Sequence, residues 1–428
     1  MKRYWSAEED EMNHRALPAY MIGVTWVLLL TVGLTACAAP KPTATALPPP
    51  TAAPTLTPAP TAAPTVVPQR TQAPTSTVPL PTLTAQPKPF PLSERGPYDV
   101  GFRTFTLQDA SRDDRKVSIC LWYPAVRPPE ITFHAPMRDA DPDPRGAPYP
   151  LILGSVKAGN TFASHLVSHG FAWAGVDIDP GMVPWGEWVI DYPLDIVFAL
   201  DHIAATPPDG LAGAIDADHA GAMGYSFDGY NSLALSGARV DPGFYLSQCT
   251  KAPAMEAPLP EWGGAGMVGY SLIDYYCRMA AKWDELVAHA GKELTSSDDG
   301  LWQPMTDKRI RAVMPMAPEG AWLFGERGLA AADRPTMIIG ATNDNLTFYG
   351  LEAVYIYEHL GTPDRVMISF IGRGHFMVYD AEPVACMKHF ATAFFGYHLQ
   401  ARKDYAVYFS QDFVAQHEDL AWGVYAGQ

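Results

Sequence analysis

Between residues 149 and 396 the chain keeps switching from short apolar runs to longer stretches with one apolar face. That alternation constrains the fold more than any other feature. Residues 149–154 (YPLILG), 171–176 (FAWAGV), 310–316, 335–340 and 365–370 (RVMISF) are apolar almost throughout and too short for helices. Strands buried on both faces read this way, which predicts a mostly parallel sheet covered by helices, a βα sandwich. Helices are expected at 161–168, 188–205, 227–236, 350–360 and 381–396. In the second of these, Val189, Leu194, Ile196, Val197 and Leu200 supply the inner face. Residues 219–224 (HAGAMG) form a small-residue strand that runs into Tyr225 and Ser226. Upstream, 99–107 and 115–123 read as an antiparallel pair, with Arg112, Asp113 and Asp114 in the turn. Residues 250–305 are irregular, with a helix near 275–290, and read as an insertion beside the site.

The first 90 residues obey different rules. Residues 39–90 are dominated by Pro, Thr and Ala, with no apolar period that a core needs. Proline removes backbone donors and favours extended chain, so this tract reads as a stiff, disordered spacer. Before it, residues 21–36 (MIGVTWVLLLTVGLTA) are apolar but short for a membrane span, as in the core of an export signal. Leu34-Thr35-Ala36-Cys37 resembles the bacterial lipobox. That resemblance implies a lipoprotein signal peptide at 1–36, cleavage before Cys37 and lipid on that cysteine. An uncleaved signal anchor is the alternative. Either way the body, residues 91–428, is expected outside the cytoplasm, tethered to the bacterial membrane. Its size suits one large domain. The net charge of -16, without a basic stripe, argues against nucleic acid as a partner.

Four cysteines follow Cys37: Cys120, Cys249, Cys277 and Cys386. An even number in an exported domain permits disulfides. Cys249 and Cys277 flank a Gly- and Pro-rich segment and are the favoured pair. Cys120 sits in an apolar run and reads as a buried thiol.

The chemistry centres on Gly224-Tyr225-Ser226-Phe227-Asp228-Gly229, placed between a predicted strand and a predicted helix. Acyl transfer needs a hydroxyl held out on a tight turn, with small residues where strand and helix approach. The Phe227 amide, at the helix start, is expected to face an oxyanion. Asp344 follows the strand at 335–340, where a carboxylate orients an imidazole, and Glu319 is the reserve acid. His375, between glycines 372 and 374 and Phe376, follows the strand at 365–370 and is the expected base. The order Ser226, Asp344, His375 is that of the α/β-hydrolases. After the strand at 149–154, the Ala158 amide is the first choice for a second oxyanion donor, with that of Lys157 next. Trp185, Trp188, Trp262, Tyr270 and Trp322 are expected to form an aromatic rim.

On these motifs, with Leu121-Trp122-Tyr123-Pro124 and the opening from Pro97 to Thr104, the chain resembles predicted dienelactone hydrolases. It is also similar to platelet-activating-factor acetylhydrolase-like and cutinase-like esterases. The resemblance covers about residues 96–400. It implies an α/β-hydrolase three-layer sandwich with a mostly parallel central sheet. It also implies ester cleavage through an acyl-enzyme, without metal or cofactor, on a small-molecule, lipid or polymeric ester. Two departures bear on the oxyanion: Val156-Lys157 stands where His-Gly is common, and Asp228 replaces the last elbow glycine. An impaired hydrolase fold serving as a surface binding module, and a serine peptidase, are the alternative functions.

Overall fold

The computed structural model describes residues 89–177, 186–251, 277 and 279–427. In chain order the strands are β1 (Asp99–Asp109), β2 (Arg115–Ala125), β3 (Met137–Arg138), β4 (Tyr149–Ser155) and β5 (Ala172–Val176). They continue with β6 (Ile215–Tyr225), β7 (Ile310–Met316), β8 (Thr336–Ala341), β9 (Arg365–Phe370) and β10 (Leu420–Trp422). All belong to one sheet, ordered β10-β9-β8-β7-β6-β4-β5-β2-β1-β3. The run from β5 to β9 is parallel throughout. β1 and β2 pair antiparallel along their whole length, β2 lies antiparallel to β5, and β10 closes the other edge antiparallel to β9.

Burial explains the apolar runs. Every residue of β4, β5 and β8 is buried. Successive side chains leave opposite faces of a strand, so each strand feeds two cores. Ile152, Met223, Met314, Met337 and Ile339 join the core that holds Phe162, Leu166, Phe390 and Phe394. Leu151, Leu153, Ala222 and Val313 face the other way, against Ile196, Leu200 and Ile203. Helices Val156–Ser168 and Ala381–Leu399 thus cover one face, and Trp188–Ala205 and Phe227–Leu235 the other. The result is an α/β fold with a mostly parallel ten-stranded sheet between helices.

Two topological facts position the site. From β5 to β6 the chain crosses over β4, so the strand order changes direction between β4 and β6. In open parallel sheets, ligands bind outside the carboxyl ends of strands at such a switch point. The second fact is a helix that begins early. The sequence predicts a helix from residue 161, but it starts at Val156, directly after β4, because Ser155 caps it.

Cys249 and Cys277 lie at disulfide distance, their Cα atoms 5.4 Å apart. Cys120 and Cys386 are both buried. Most of the expected insertion, residues 252–276 and 278, lies outside the described residues, as do the signal segment and the spacer through residue 88. Among the described residues, no helix is long and apolar enough to cross a membrane.

Candidate active site

β6 ends at Tyr225, and the next residue turns the chain sharply. Ser226 has φ 60° and ψ −121°, a conformation that non-glycine residues seldom adopt. Such backbone costs about 1–3 kcal/mol and persists only where its surroundings hold it. Here the Ser226 N–H donates to Met316 O of β7 at 2.9 Å, and the Gly229 N–H donates to Ser226 O at 2.8 Å. The flanking glycines are demanded by crowding. A Cβ on Gly224 would fall 2.0 Å from Asp228 O, and one on Gly229 would fall 2.8 Å from Pro318 Cα. Gly229, one place later than the usual pattern, therefore does the close packing. Asp228 points inward instead, only 7% exposed, and accepts a hydrogen bond from the Ser155 hydroxyl.

β8 and β9 pair in parallel, with Gly340 opposite Ser369 and Ala341 opposite Phe370, so their following loops leave the same edge. These loops are stitched together. The Asn343 N–H donates to Arg373 O at 2.8 Å, and the Gly372 N–H donates to Thr342 Oγ1 at 2.8 Å. His375 opens a short 3-10 turn, His375–Tyr379, and its carbonyl accepts the Tyr225 hydroxyl at 2.6 Å. Burial pushes the Tyr225 phenol well up, so it stays a neutral donor.

The structure brings Ser226, His375 and Asp344 together. His375 Nε2 lies 2.8 Å from Ser226 Oγ, and its Nδ1 lies 2.8 Å from Asp344 Oδ2. Asp344 is itself fixed: its Oδ1 accepts the N–H groups of Leu346 and Thr347, each at 2.9 Å. Thr347 Oγ1 lies 2.9 Å from Asp344 Oδ2, 3.1 Å from Ala317 O and 3.3 Å from His375 Nδ1. Imidazole and carboxylate are both buried, while Ser226 stays partly open to solvent. A hydroxyl, an imidazole and a carboxylate in this relation can move a proton from the hydroxyl oxygen as it attacks an electrophile.

No known family model matches the chain, and no curated protein matches it.

The remaining expected residues divide. Phe227 occupies the first position of helix Phe227–Leu235, where helix N–H groups lack intrahelical acceptors. The Ala158 N–H does not stand free, because it donates to Ser155 Oγ at 3.0 Å as part of the helix cap. The second-choice Lys157 sits one residue earlier in the same helical turn. The carboxylate on the imidazole is that of Asp344; Glu319 lies buried in the loop after β7. Trp188 is buried and packs its ring on Phe227, with centroids 3.9 Å apart, while Trp322 is half-buried. Trp185, Trp262 and Tyr270 lie outside the described residues.

Sequence reasoning missed Thr347 and Ser155. Thr347 had a partial signal, since an Asp in a loop bonds the backbone just after it and folds that segment back onto its carboxylate. Ser155 stands where a helix cap would, directly after a strand, and reads equally well as the strand's last residue. Away from this site, Glu187, Asp191 and His289 offer ligand atoms within 4.8 Å of one another. Asp191, however, already pairs with Arg115 at 3.2 Å, which offsets the charge that would attract a cation.

Proposed function

We propose that this protein is a serine hydrolase of the α/β-hydrolase class, cleaving carboxylic esters through an acyl-enzyme. The observation that carries this reading is the relay Asp344–His375–Ser226, 2.8 Å at each step, starting from a strained turn. Its support includes the switch-point position at the carboxyl edge of a parallel sheet. The order Ser226, Asp344, His375 along the chain adds to it.

In this reading His375 Nε2 takes the Ser226 proton as Oγ attacks the ester carbonyl carbon. Asp344 holds the Nδ1 proton and balances the imidazolium that forms. The carbonyl oxygen becomes an oxyanion beside the Phe227 N–H at the helix start. His375 then gives its proton to the departing alcohol. A water molecule, activated by the same imidazole, releases the acid and restores Ser226. Trp188 against Phe227, and Phe376 and Tyr379 just beyond His375, give the surroundings an aromatic character suited to an apolar ester. Small, lipid-derived and polymeric esters all fit that description. Tethering through Cys37 would set the enzyme outside the cytoplasm. The Cys249–Cys277 pair suits that oxidising side.

Turnover of p-nitrophenyl acetate and butyrate by the purified protein tests the reading. Ser226→Ala is expected to cut kcat by about 10⁴-fold or more. Equal rates in the two proteins would remove Ser226 as nucleophile. Cys37→Ala is expected to shift the protein from the membrane fraction to the soluble one.

A further inference from the structure

We infer that Asp228 is a positioning residue for the oxyanion site and acts through Ser155, an inference that rests on the hydrolase reading above. The Ser155 hydroxyl has one proton and spare lone pairs. Its proton goes to Asp228 Oδ2, and a lone pair accepts the Ala158 N–H at 3.0 Å. Asp228 thereby fixes which way the hydroxyl points and so holds the cap of helix Val156–Ser168. Both side chains are shut away from water, Ser155 at 2% and Asp228 at 7% exposure. Leu153, Ile196, Met223 and Leu235 line the space around them. A hydrogen bond in such surroundings is stronger than one at the surface.

The pair joins two elements that matter together. β4 and β6 are neighbours, with Leu153 opposite Ala222. Continuing that register to the end of β4 sets Ser155 level with Gly224, two residues before Ser226. The hydrogen bond thus ties the helix that starts after β4 to the helix that starts after Ser226, although 73 residues separate the partners. Both helix starts offer N–H groups at the same sheet edge. The Ser155 cap consumes that of Ala158. That assigns the oxyanion to the Lys157 N–H, one residue earlier in the same first helical turn, together with the Phe227 N–H. The departures from the family pattern then belong together. Gly229 takes over the close contact with Pro318, which frees position 228 to carry the carboxylate that holds Ser155.

Asp228→Gly, which restores the usual elbow glycine, is the sharpest test. Oxyanion donors act on the transition state more than on bound substrate. In the full-length protein, kcat on p-nitrophenyl butyrate is expected to fall about 10- to 100-fold, with KM within about 2-fold. Affinity for phenylboronic acid, whose serine adduct mimics the tetrahedral intermediate, is expected to fall with kcat. Asp228→Asn keeps an acceptor for the Ser155 proton and is expected to recover most of the rate. Ser155→Ala is expected to match Asp228→Gly, and the double variant to be no worse than either. A wild-type kcat and boronate affinity in Asp228→Gly would overturn the inference alone. If that variant does not fold, a wild-type kcat in Ser155→Ala does the same. A wild-type protein that neither hydrolyses esters nor binds the boronate would overturn the hydrolase reading, and the inference with it.

Discussion

Two buried histidines, fourteen residues apart in sequence, sit in opposite chemical settings. His375 is 6% exposed and His389 is 0% exposed, so burial does not distinguish them. At the sheet edge, His375 has a carboxylate 2.8 Å from one ring nitrogen and a hydroxyl 2.8 Å from the other. In the helical layer, His389 accepts the Leu92 N–H at 3.1 Å, stacks on Phe413 and meets Phe390 edge-on and Phe90 at a tilt. Among the described residues no carboxylate bonds to it. Burial, with His417 nearby, pushes its pKa down to about 3. One imidazole is placed to accept a proton, the other to stay neutral as packing and as an acceptor. What separates the two is that the nitrogens of His375 are differently employed and one of them meets an anion.

The comparison breaks most easily at the anion. Asp344→Asn is expected to lower kcat by about 10³- to 10⁴-fold, because the imidazole loses its tautomer and its counter-charge. Steady-state turnover of p-nitrophenyl butyrate checks this, and a loss under tenfold would make the two histidines alike. A smaller effect should come from Thr347→Val. This removes one hydroxyl from Asp344 Oδ2 and leaves its two backbone donors, so a loss near 10-fold in kcat is expected, about the value of one hydrogen bond to a charged group.

The smallest effect on rate belongs to the other histidine. His389→Leu is expected to keep kcat within about 2-fold while lowering the unfolding midpoint at pH 7 by a few degrees, since the Leu92 N–H loses its acceptor. Its clearer signature lies in acid. His165 and His389 titrate near 6.5 in the unfolded chain but near 3 in the fold, burial being the main cause. Between those values the unfolded chain binds more protons, so stability is full above about pH 6.5 and drains away as pH falls towards 3. Thermal melts from pH 7 to pH 4 should show that loss. The His389→Leu protein should show a shallower one, and an unchanged slope would mean that His389 is not buried as described.

How much of this was legible in the sequence follows from the same physics. The bounds of β7 and β9 match the apolar runs at 310–316 and 365–370 because strands in the sheet interior have little polar length to blur their ends. The helix Trp188–Ala205 was legible from its period despite Pro193 inside it. Ser226, Asp344 and His375 were legible because each follows a strand in an order that the hydrolases share. What stayed hidden depends on long-range geometry. The Ser155–Asp228 bond joins residues whose types gave no hint of each other. The early start of helix Val156–Ser168, and with it the engaged Ala158 amide, follows from that one hydroxyl. β10 is three residues long and owes its existence to pairing with β9, not to its own pattern.

The central claim is that the Ser226 oxygen is made nucleophilic by His375. Treating the protein with a fluorophosphonate and mapping the modified peptide tests it most directly. A single adduct on Ser226, formed far more slowly in His375→Ala, is the expected result. Labelling of another residue, or equal labelling without the imidazole, would contradict the account.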